Sequence, residues 1–456
     1  MKLVILWSDA LLFILVAAMI AFTLTISRDS ESRERWSKVF GSRLGMSTFL
    51  IIMTYISIAF LDSLHFRKAI PPVEGQAQQE VYYSSHVHSV LDLILGEMGE
   101  NREKTYSAPF SLKSYSKENM QDEQGRTYRA FADLEQAGRH LTSPDERSMD
   151  ILLQSLMAVV AGLMISIILI GAHRYWLGGR DSPYPWKTAY ITLAIIICLL
   201  AWMLHVGSLY HVMGTDKSGN DVLYKCLKGI RTGMLIGTLA TLIMMPIAIS
   251  LGIAAGYFKG WVDDIIQYLY TTLSSIPGLL LIAASVLLFQ VWIDLNPDYF
   301  ATGLEKGDVK FIGLCFILGV TSWATLCRLL RAETLKISQL EYVQAAHAFG
   351  VSHVRIITRH ILPNVTHIIL ITFILDFSGL VLAEAVLAYI GVGVDSSMHS
   401  WGNMISAGSA ELSRVPAVWW NLAGAFILMF ILVLAANLFS DLVNDAFNPK
   451  SRLEAA

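Results

Sequence analysis

Charge is scarce in this sequence. Only 16% of the 456 residues are Asp, Glu, Lys or Arg, and the net charge is −3. A soluble domain carries about a quarter charged residues, so a soluble multidomain enzyme of this length is disfavoured. The near-neutral balance leaves no basic field for nucleic acid. Cysteine is almost missing: Cys198, Cys226, Cys315 and Cys327 are scattered with no C-x-x-C, which excludes a zinc ribbon or dithiol motif by pattern. No G-x-x-x-x-G-K-[ST] occurs. The nearest string, "GTDKSGND", has neither the spacing nor the Lys-Ser/Thr end, so a Walker A phosphate loop is excluded. H-E-x-x-H and a strand-borne G-x-S-x-G are also missing. His86/His88 and His205/His211 are pairs that could ligate a metal, but polar histidines near interfaces are usually structural. No metal site is expected, and no catalytic residue.

What is abundant is apolar. Hydrophobic residues make up 54% of the chain and the mean hydropathy is +0.52. A spanning helix needs roughly 20 mostly apolar residues. About nine stretches qualify: 4–26, 46–62, 151–171, 188–206, 230–256, 270–293, 310–330, 366–390 and 416–440. Their runs are helical rather than alternating, which excludes a β-barrel. The fold class is therefore an all-α integral membrane protein with an extracytoplasmic insertion. The first stretch follows Lys2 and has the look of a signal peptide. Its apolar run is long for one, however, and "AFTLTISRDS" lacks a small-x-small cleavage site, so a retained helix is expected.

Orientation follows from basic loops. Arg28, Arg33, Arg35, Lys38 and Arg43 lie in one loop. Arg174, Arg180 and Lys187 lie in a second, and Arg331, Lys336, Arg355 and Arg359 in a third. With nine spans all three fall on one side, the cytoplasm. The N-terminus and the polar stretch 64–150 are then outside and the C-terminus inside. That stretch has ten Lys/Arg and fourteen Asp/Glu, an acidic balance compatible with export. It holds turn-rich strings and one amphipathic helix near 80–98, marked by Val81, Val87, Val90, Leu91, Ile94 and Leu95. Its thin apolar content implies packing on the membrane part or on a partner. Asp294, Asp298, Glu305 and Asp308 read as a solvated outer turn.

Two features carry chemistry. Asp376 and Glu384 lie eight residues apart inside the 366–390 span. A mid-membrane charge normally faces a bundle interior, a partner helix or a water-filled path, so a pathway role and a subunit contact both stand. The loop 331–363, "RAETLKISQLEYVQAAHAFGVSHVRIITRHILPN", is long for a connector. Residues 341–349 form a short helix that Gly350 terminates. Ser352 caps a second helix that ends before Pro363. Small Ala345 and Ala346 are suited to sitting closely in another protein's groove, the alternative being an ordinary surface hairpin.

At this loop the sequence resembles the membrane subunits of ABC importers. "EYVQAAHAFG…RHILPN" looks like their coupling-loop signature. "GTDKSGNDVL" (214–223), "GYFKGWVDDII" (256–266), Pro277, Trp323, "LAEAVLAYIGVGV" (382–394), "SWGNMI" (400–405) and "NLFSDLVNDAFNP" (437–449) follow in the expected order. The resemblance, over roughly 205–450, is to the dipeptide/oligopeptide/nickel permease family, the subunit type with Gly-Thr-Asp after its first span. "SRERWSKVFGSRLGMSTF" resembles the basic lead-in to that first span, here 46–62.

The resemblance implies a type I ABC importer transmembrane-domain fold moving peptides or similar solutes inward. It implies ATPase coupling through Glu341, Ala345, Ala346, Gly350, Ile361, Leu362 and Pro363. It implies an outer docking segment of Gly214, Thr215, Asp216, Gly219 and Asp221, whose local alternative is a turn and helix cap. Glu384 matches Leu-Ala-Glu-Ala; Asp376 stands where a small or apolar residue is expected. Implied partners are a second, related permease, two ATP-binding subunits that hold ATP and Mg, an extracytoplasmic solute-binding protein and the bilayer of a bacterial inner membrane. The chain itself would bind no cofactor. The expected divisions are 1–63 (an added span and the first family span), 64–150 (insertion), 151–206 (two added spans), 207–450 (core) and 451–456 (tail). The competing reading is a proton-driven secondary transporter through Asp376 and Glu384; another is a membrane scaffold using 64–150.

Overall fold

A computed structural model describes residues 2–28, 30–70, 82–84, 86–121, 126–141, 143–178, 184–300 and 302–447; the tail 451–456 and Arg180 fall outside these. The helices are α1 (Trp7–Arg28), α2 (Ser30–Gly41), α3 (Arg43–Asp62), α4 (Val90–Leu95), α5 (Arg147–Leu177), α6 (Trp186–Leu209), α7 (Val222–Phe258) and α8 (Gly260–Ser275). They continue as α9 (Gly278–Leu295), α10 (Gly303–Ser322), α11 (Ala324–Ile337), α12 (Glu341–Ala348), α13 (His353–Ile356), α14 (Leu362–Tyr389), α15 (Trp401–Leu412) and α16 (Trp420–Phe447). Strands are few: β1 (Lys2–Val4), β2 (His65–Arg67), β3 (His88–Ser89), β4 (Lys113–Gln121) and β5 (Thr127–Asp133).

Eight helical segments among the described residues are long and apolar enough to cross a membrane. They fall on eight of the nine expected stretches. The ninth, 4–26, is helical as α1, and its described apolar part is Trp7–Ala21. The stretch 270–293 is not one helix. It breaks at Ile276–Pro277 between α8 and α9, and only α9 has spanning character. Proline has no N–H to continue a helix. Helices start where short polar side chains can satisfy orphan amides. Ser42 accepts from Gly45 N at 2.9 Å to open α3, and Ser400 accepts from Asn403 N at 3.0 Å to open α15.

Two expectations for the polar parts change. Of the expected 80–98 helix the described residues form only Val90–Leu95 plus a 3-10 turn, Gly96–Gly99, while Val81 and positions 80 and 85 lie outside them; Ser89 pairs in a strand and closes a capping box with Asp92. Among the described residues the named strands form two small sheets. One is β1–β2–β3, antiparallel throughout, and the other is the β4–β5 hairpin. The acidic outer turn is not uniformly solvated, because Asp308 is buried within α10, while Asp294 pairs with Lys306 at 2.9 Å.

The chain forms two compact units. The first comprises residues 1–13, 40–232 and 399–432. In it α5 and α6 run antiparallel, tied by Ser155–Trp202 at 3.0 Å, Gln154–His205 at 2.9 Å and His173–Tyr190 at 2.9 Å. Two cations of α7 organise this unit. Lys228 donates to Asp62 at 2.6 Å, Asp92 at 2.9 Å and Ser89 at 3.1 Å. Arg231 Nη2 reaches Asp9 Oδ1 at 2.5 Å and Ser8 Oγ at 2.8 Å, and its Nε reaches Ser63 Oγ at 2.9 Å. Asp9 Oδ2 faces His65 Nδ1 at 2.8 Å and accepts from Leu6 N at 3.1 Å. The second unit comprises 14–39, 233–398 and 433–456. Its core joins Met244, Ala248 and Ile253 of α7 to Leu326, Cys327 and Leu330 of α11 and to Val343, Ile356, Ile361 and Val365.

Candidate functional site: the 341–363 loop, the outer segment and a membrane cavity

One side of the loop is fixed in the core. α12 is eight residues long, too short to be stable alone. It is held by Val343, 3% exposed, which enters the core with Ile337, Ile356 and Ile361, while Ala346 and Val351 pack against that core. Gly350 sits at φ +73°, with its N–H on His347 O at 3.0 Å and Val351 N on Ala346 O at 3.1 Å. This left-handed termination suits glycine, because a Cβ there is strained whatever the surrounding space. Ser352 precedes α13 in extended conformation but makes no side-chain cap bond.

The second helix does not end before Pro363. It passes through a π-turn, Ile357–Ile361, into α14, and Pro363 occupies the first turn of α14. Proline is tolerated there because that N–H would be an orphan anyway. The loop is thus welded to a spanning helix. Two hydrogen bonds reinforce it: Tyr257 with His353 Nδ1 at 2.8 Å, and Asn364 Nδ2 to Tyr342 Oη at 3.2 Å. Asp263 takes the Arg331 guanidinium through both oxygens, at 2.5 and 2.6 Å, which holds its carboxyl below the usual range.

The outward side is unlike a solvated turn. Phe349 is 87% exposed and Val354 72%, with Tyr342 and Leu340 partly so; Glu341, Ala345 and Gly350 are also exposed. Ile361 is buried, Leu362 half-buried and Pro363 exposed. Loop composition pointed to Ala345, Ala346 and Gly350. It did not single out Val343, Tyr257 or Asn364, whose contribution depends on packing partners far along the chain.

The outer segment is brought together, but it is covered. Thr215 and Asp221 form an antiparallel bridge. Thr215 Oγ1 accepts from Ser107 N at 2.6 Å and donates to Thr105 O at 2.9 Å, and Thr215 O accepts from Trp420 Nε1 at 2.9 Å. Asp216 Oδ1 accepts from Ser218 N at 2.8 Å and Asn220 N at 3.0 Å, and Asp216 pairs with Lys225. Asp221 Oδ1 caps α7 by accepting from Tyr224 N at 2.9 Å. Gly214 and Gly219 both have positive φ. A Cβ on Gly219 would lie 1.7 Å from Glu103 O, so the insertion chain crosses directly over this glycine.

Glu103 and His211 complete the buried cluster. Glu103 accepts from the backbone N–H groups of Glu135, Gln136 and Ala137 at 2.9, 2.8 and 3.3 Å. Burial disfavours its charge, but the His211 contact and these three donors win, and its carboxyl is pulled down to about 2. His211 Nδ1 meets Asp221 Oδ2 at 2.7 Å, and Nε2 faces Glu103 Oε1 at 3.5 Å. Burial opposes the imidazolium; the two carboxylates overcome it and raise His211 to about 9. His205 goes instead to Gln154, and the His86 and His88 rings lie 5.0 Å apart. Among the described residues no group of three or more His, Cys, Asp or Glu could hold a metal.

The two intramembrane acids separate. Glu384 is buried within the packing of α14. Asp376 instead lines a cavity of about 420 Å³, together with Ser274, Thr321, Ser322 and Thr325 and apolar Leu281 and Leu380.

Comparison with known proteins agrees with this architecture. Residues 248–453 match the family described as "Binding-protein-dependent transport system inner membrane component". The oligopeptide transport system permease protein OppC of Mycobacterium bovis is 33% identical over 242 residues, 53% of this chain and 77% of that protein. The dipeptide transport system permease protein DppC of Bacillus subtilis is 29% identical, over 53% and 69%. A putative peptide permease protein of Brucella suis is 27% identical over 68% of this chain and 93% of its own. With the spanning helices and the loop geometry, these matches make the chain a multi-pass inner-membrane protein, a permease subunit of an ABC importer belonging to the binding-protein-dependent transport family.

Proposed function

We propose that this permease carries peptides or similar small solutes into the cytoplasm and that the 341–363 loop couples transport to ATP. The names of its relatives, which speak of oligopeptides and dipeptides, support a peptide-like cargo. The observation that carries the coupling role is the pairing of a locked inner side at Val343 with exposed Phe349 and Val354 on the same loop. Large apolar side chains left in water beside small Ala345 mark a protein contact. An ATP-binding subunit seats Glu341, Ala345, Ala346 and Gly350. Because Ile361, Leu362 and Pro363 join this loop to α14, closure of the two ATP-binding subunits is transmitted as rigid-body rocking of the spans.

The remaining partners follow. A second, related permease supplies the other wall of the path. Two ATP-binding subunits hold ATP and Mg, and this chain binds no cofactor. A solute-binding protein delivers cargo outside, where the basic loops place the N-terminus and the 64–150 insertion; the C-terminus is cytoplasmic. The Gly214–Asp221 segment seats the insertion, so docking of the binding protein falls to the insertion's outer surface. Asp376 lies on the solute path, and Glu384 holds α14 in its packing. The test replaces Phe349 with Ser and, separately, Gly350 with Val. Membrane insertion should be normal while ATP-driven uptake falls by an order of magnitude or more; unchanged uptake in both would reject the coupling role.

A further inference from the structure

The Asp376 cavity lies beside the break at Ile276–Pro277 between α8 and α9, where the backbone turns extended, and beside the one-residue irregularity at Trp323, which keeps helical dihedrals, between α10 and α11. Asp376 enters it from the interior of α14, well away from both ends of the span His353–Tyr389. Its volume, about 420 Å³, falls in the range of small-molecule sites. Four hydroxyl side chains share the lining: Ser274, Thr321, Ser322 and Thr325. Thr321 already donates to Ile317 O at 2.7 Å, leaving its oxygen to accept. Among the described residues no side chain forms an ion pair or hydrogen bond with Asp376. Arg328 reaches Ser274 Oγ, a lining group, at 3.4 Å and lies over the Tyr270 ring at 5.1 Å.

A carboxylate inside a membrane span is expensive unless a counter-charge or water meets it. The lining supplies hydrogen-bond acceptors and one negative group, the complement of a donor-rich cation. Broken helices at membrane depth, tolerated where they line a cavity, are where transporters place their solute sites. We propose that Asp376 and its hydroxyl neighbours form a subsite for a cationic group of the passing solute, an ammonium or guanidinium. This rests on the reading of α14 as a wall of the path and narrows the cargo to solutes that carry such a group.

The test uses the whole reconstituted transporter and two readouts. In the first, Asp376 is modified with a hydrophobic carbodiimide, and the site is read by mass spectrometry with n-butylammonium or neutral n-butanol present. Protection by the ammonium alone supports the subsite. Equal protection by both, protection by neither, or no labelling of Asp376 in the solute-free complex would overturn it. In the second, uptake of a free tripeptide is compared with its N-acetylated form in the native complex, Asp376→Asn and Asp376→Glu. One charge-assisted contact should make the preference for the free amine fall roughly ten- to hundredfold in the Asn variant, with Glu retaining part of it. An unchanged preference would overturn the subsite. If the native complex imports neither peptide while ammonium protection persists, the peptide reading fails and the cation subsite stands.

Discussion

Removing Asp9 should cost more than any surface charge on the chain. Its carboxylate is fully buried and Arg231 is 7% exposed in its side chain, so neither can be rescued by water. Asp9→Ala removes the 2.5 Å contact to Arg231, the 2.8 Å contact to His65 and the acceptor for Leu6 N. Breaking a buried pair from one side strands the other charge and costs about 3–5 kcal/mol. Arg231→Met should cost less, since Asp9 keeps His65 and Leu6. Replacing both, as Asp9→Leu with Arg231→Met, removes the stranded charge and should recover at least half of the Asp9→Ala loss; paired apolar replacement is often near neutral. The assay is denaturant titration of the purified protein in mixed micelles, which returns a free energy for each of the three variants. A double variant as unstable as Asp9→Ala would refute the stranded-charge account. So would an Asp9→Ala loss below about 1 kcal/mol, the ceiling for an exposed pair.

Two further outcomes follow from the outer cluster. His211, raised to about 9 from an unfolded value near 6.5, contributes stability fully present below about pH 6.5 and lost as pH rises through 9, about 3 kcal/mol in all. Glu103, pulled down to about 2, contributes stability present above about pH 4.5 and lost as pH falls through 2. Thermal midpoints from pH 6 to 10 should therefore decline on the alkaline side, and His211→Gln should flatten that decline; an unaltered slope would show the imidazolium is not the cause. Gly219→Ala forces a Cβ into the Glu103 carbonyl at φ +74°. It should unseat the insertion, read as limited proteolysis within 99–140 at least tenfold faster than in the native chain.

The membrane part was legible because spanning helices announce themselves additively: one apolar residue more or less does not move the reading. Gly350 was equally legible, since a left-handed helix end has one preferred residue. Pro277 stands in plain view as a motif, yet hydropathy joins the stretch around it into one span, because it is blind to a backbone break. The continuous run through Pro363 is hidden for the opposite reason. Proline usually ends a helix, and here a π-turn places it in a first turn. The insertion was least legible. β2 pairs with Lys2–Val4 at the start of the sequence, across the whole of α1 to α3, and Glu103 finds its donors at 135–137. Charges such as Asp9 and Arg231 enter a sequence reading as solvated groups or topology signals, and only their neighbours reveal burial.

The Asp9–Arg231 pair also sets an order on biosynthesis. The partners are 222 residues apart in the chain. At the usual pace of elongation, Asp9 is made roughly 10–40 seconds before Arg231 emerges. Closing a loop of that length costs on the order of 5 kcal/mol of chain entropy, so the contact cannot nucleate assembly. Asp9 must therefore wait without its arginine while α3, the insertion, α5 and α6 are laid down. The arrival of α7 locks it in place, which makes this arginine a completion signal for the first compact unit.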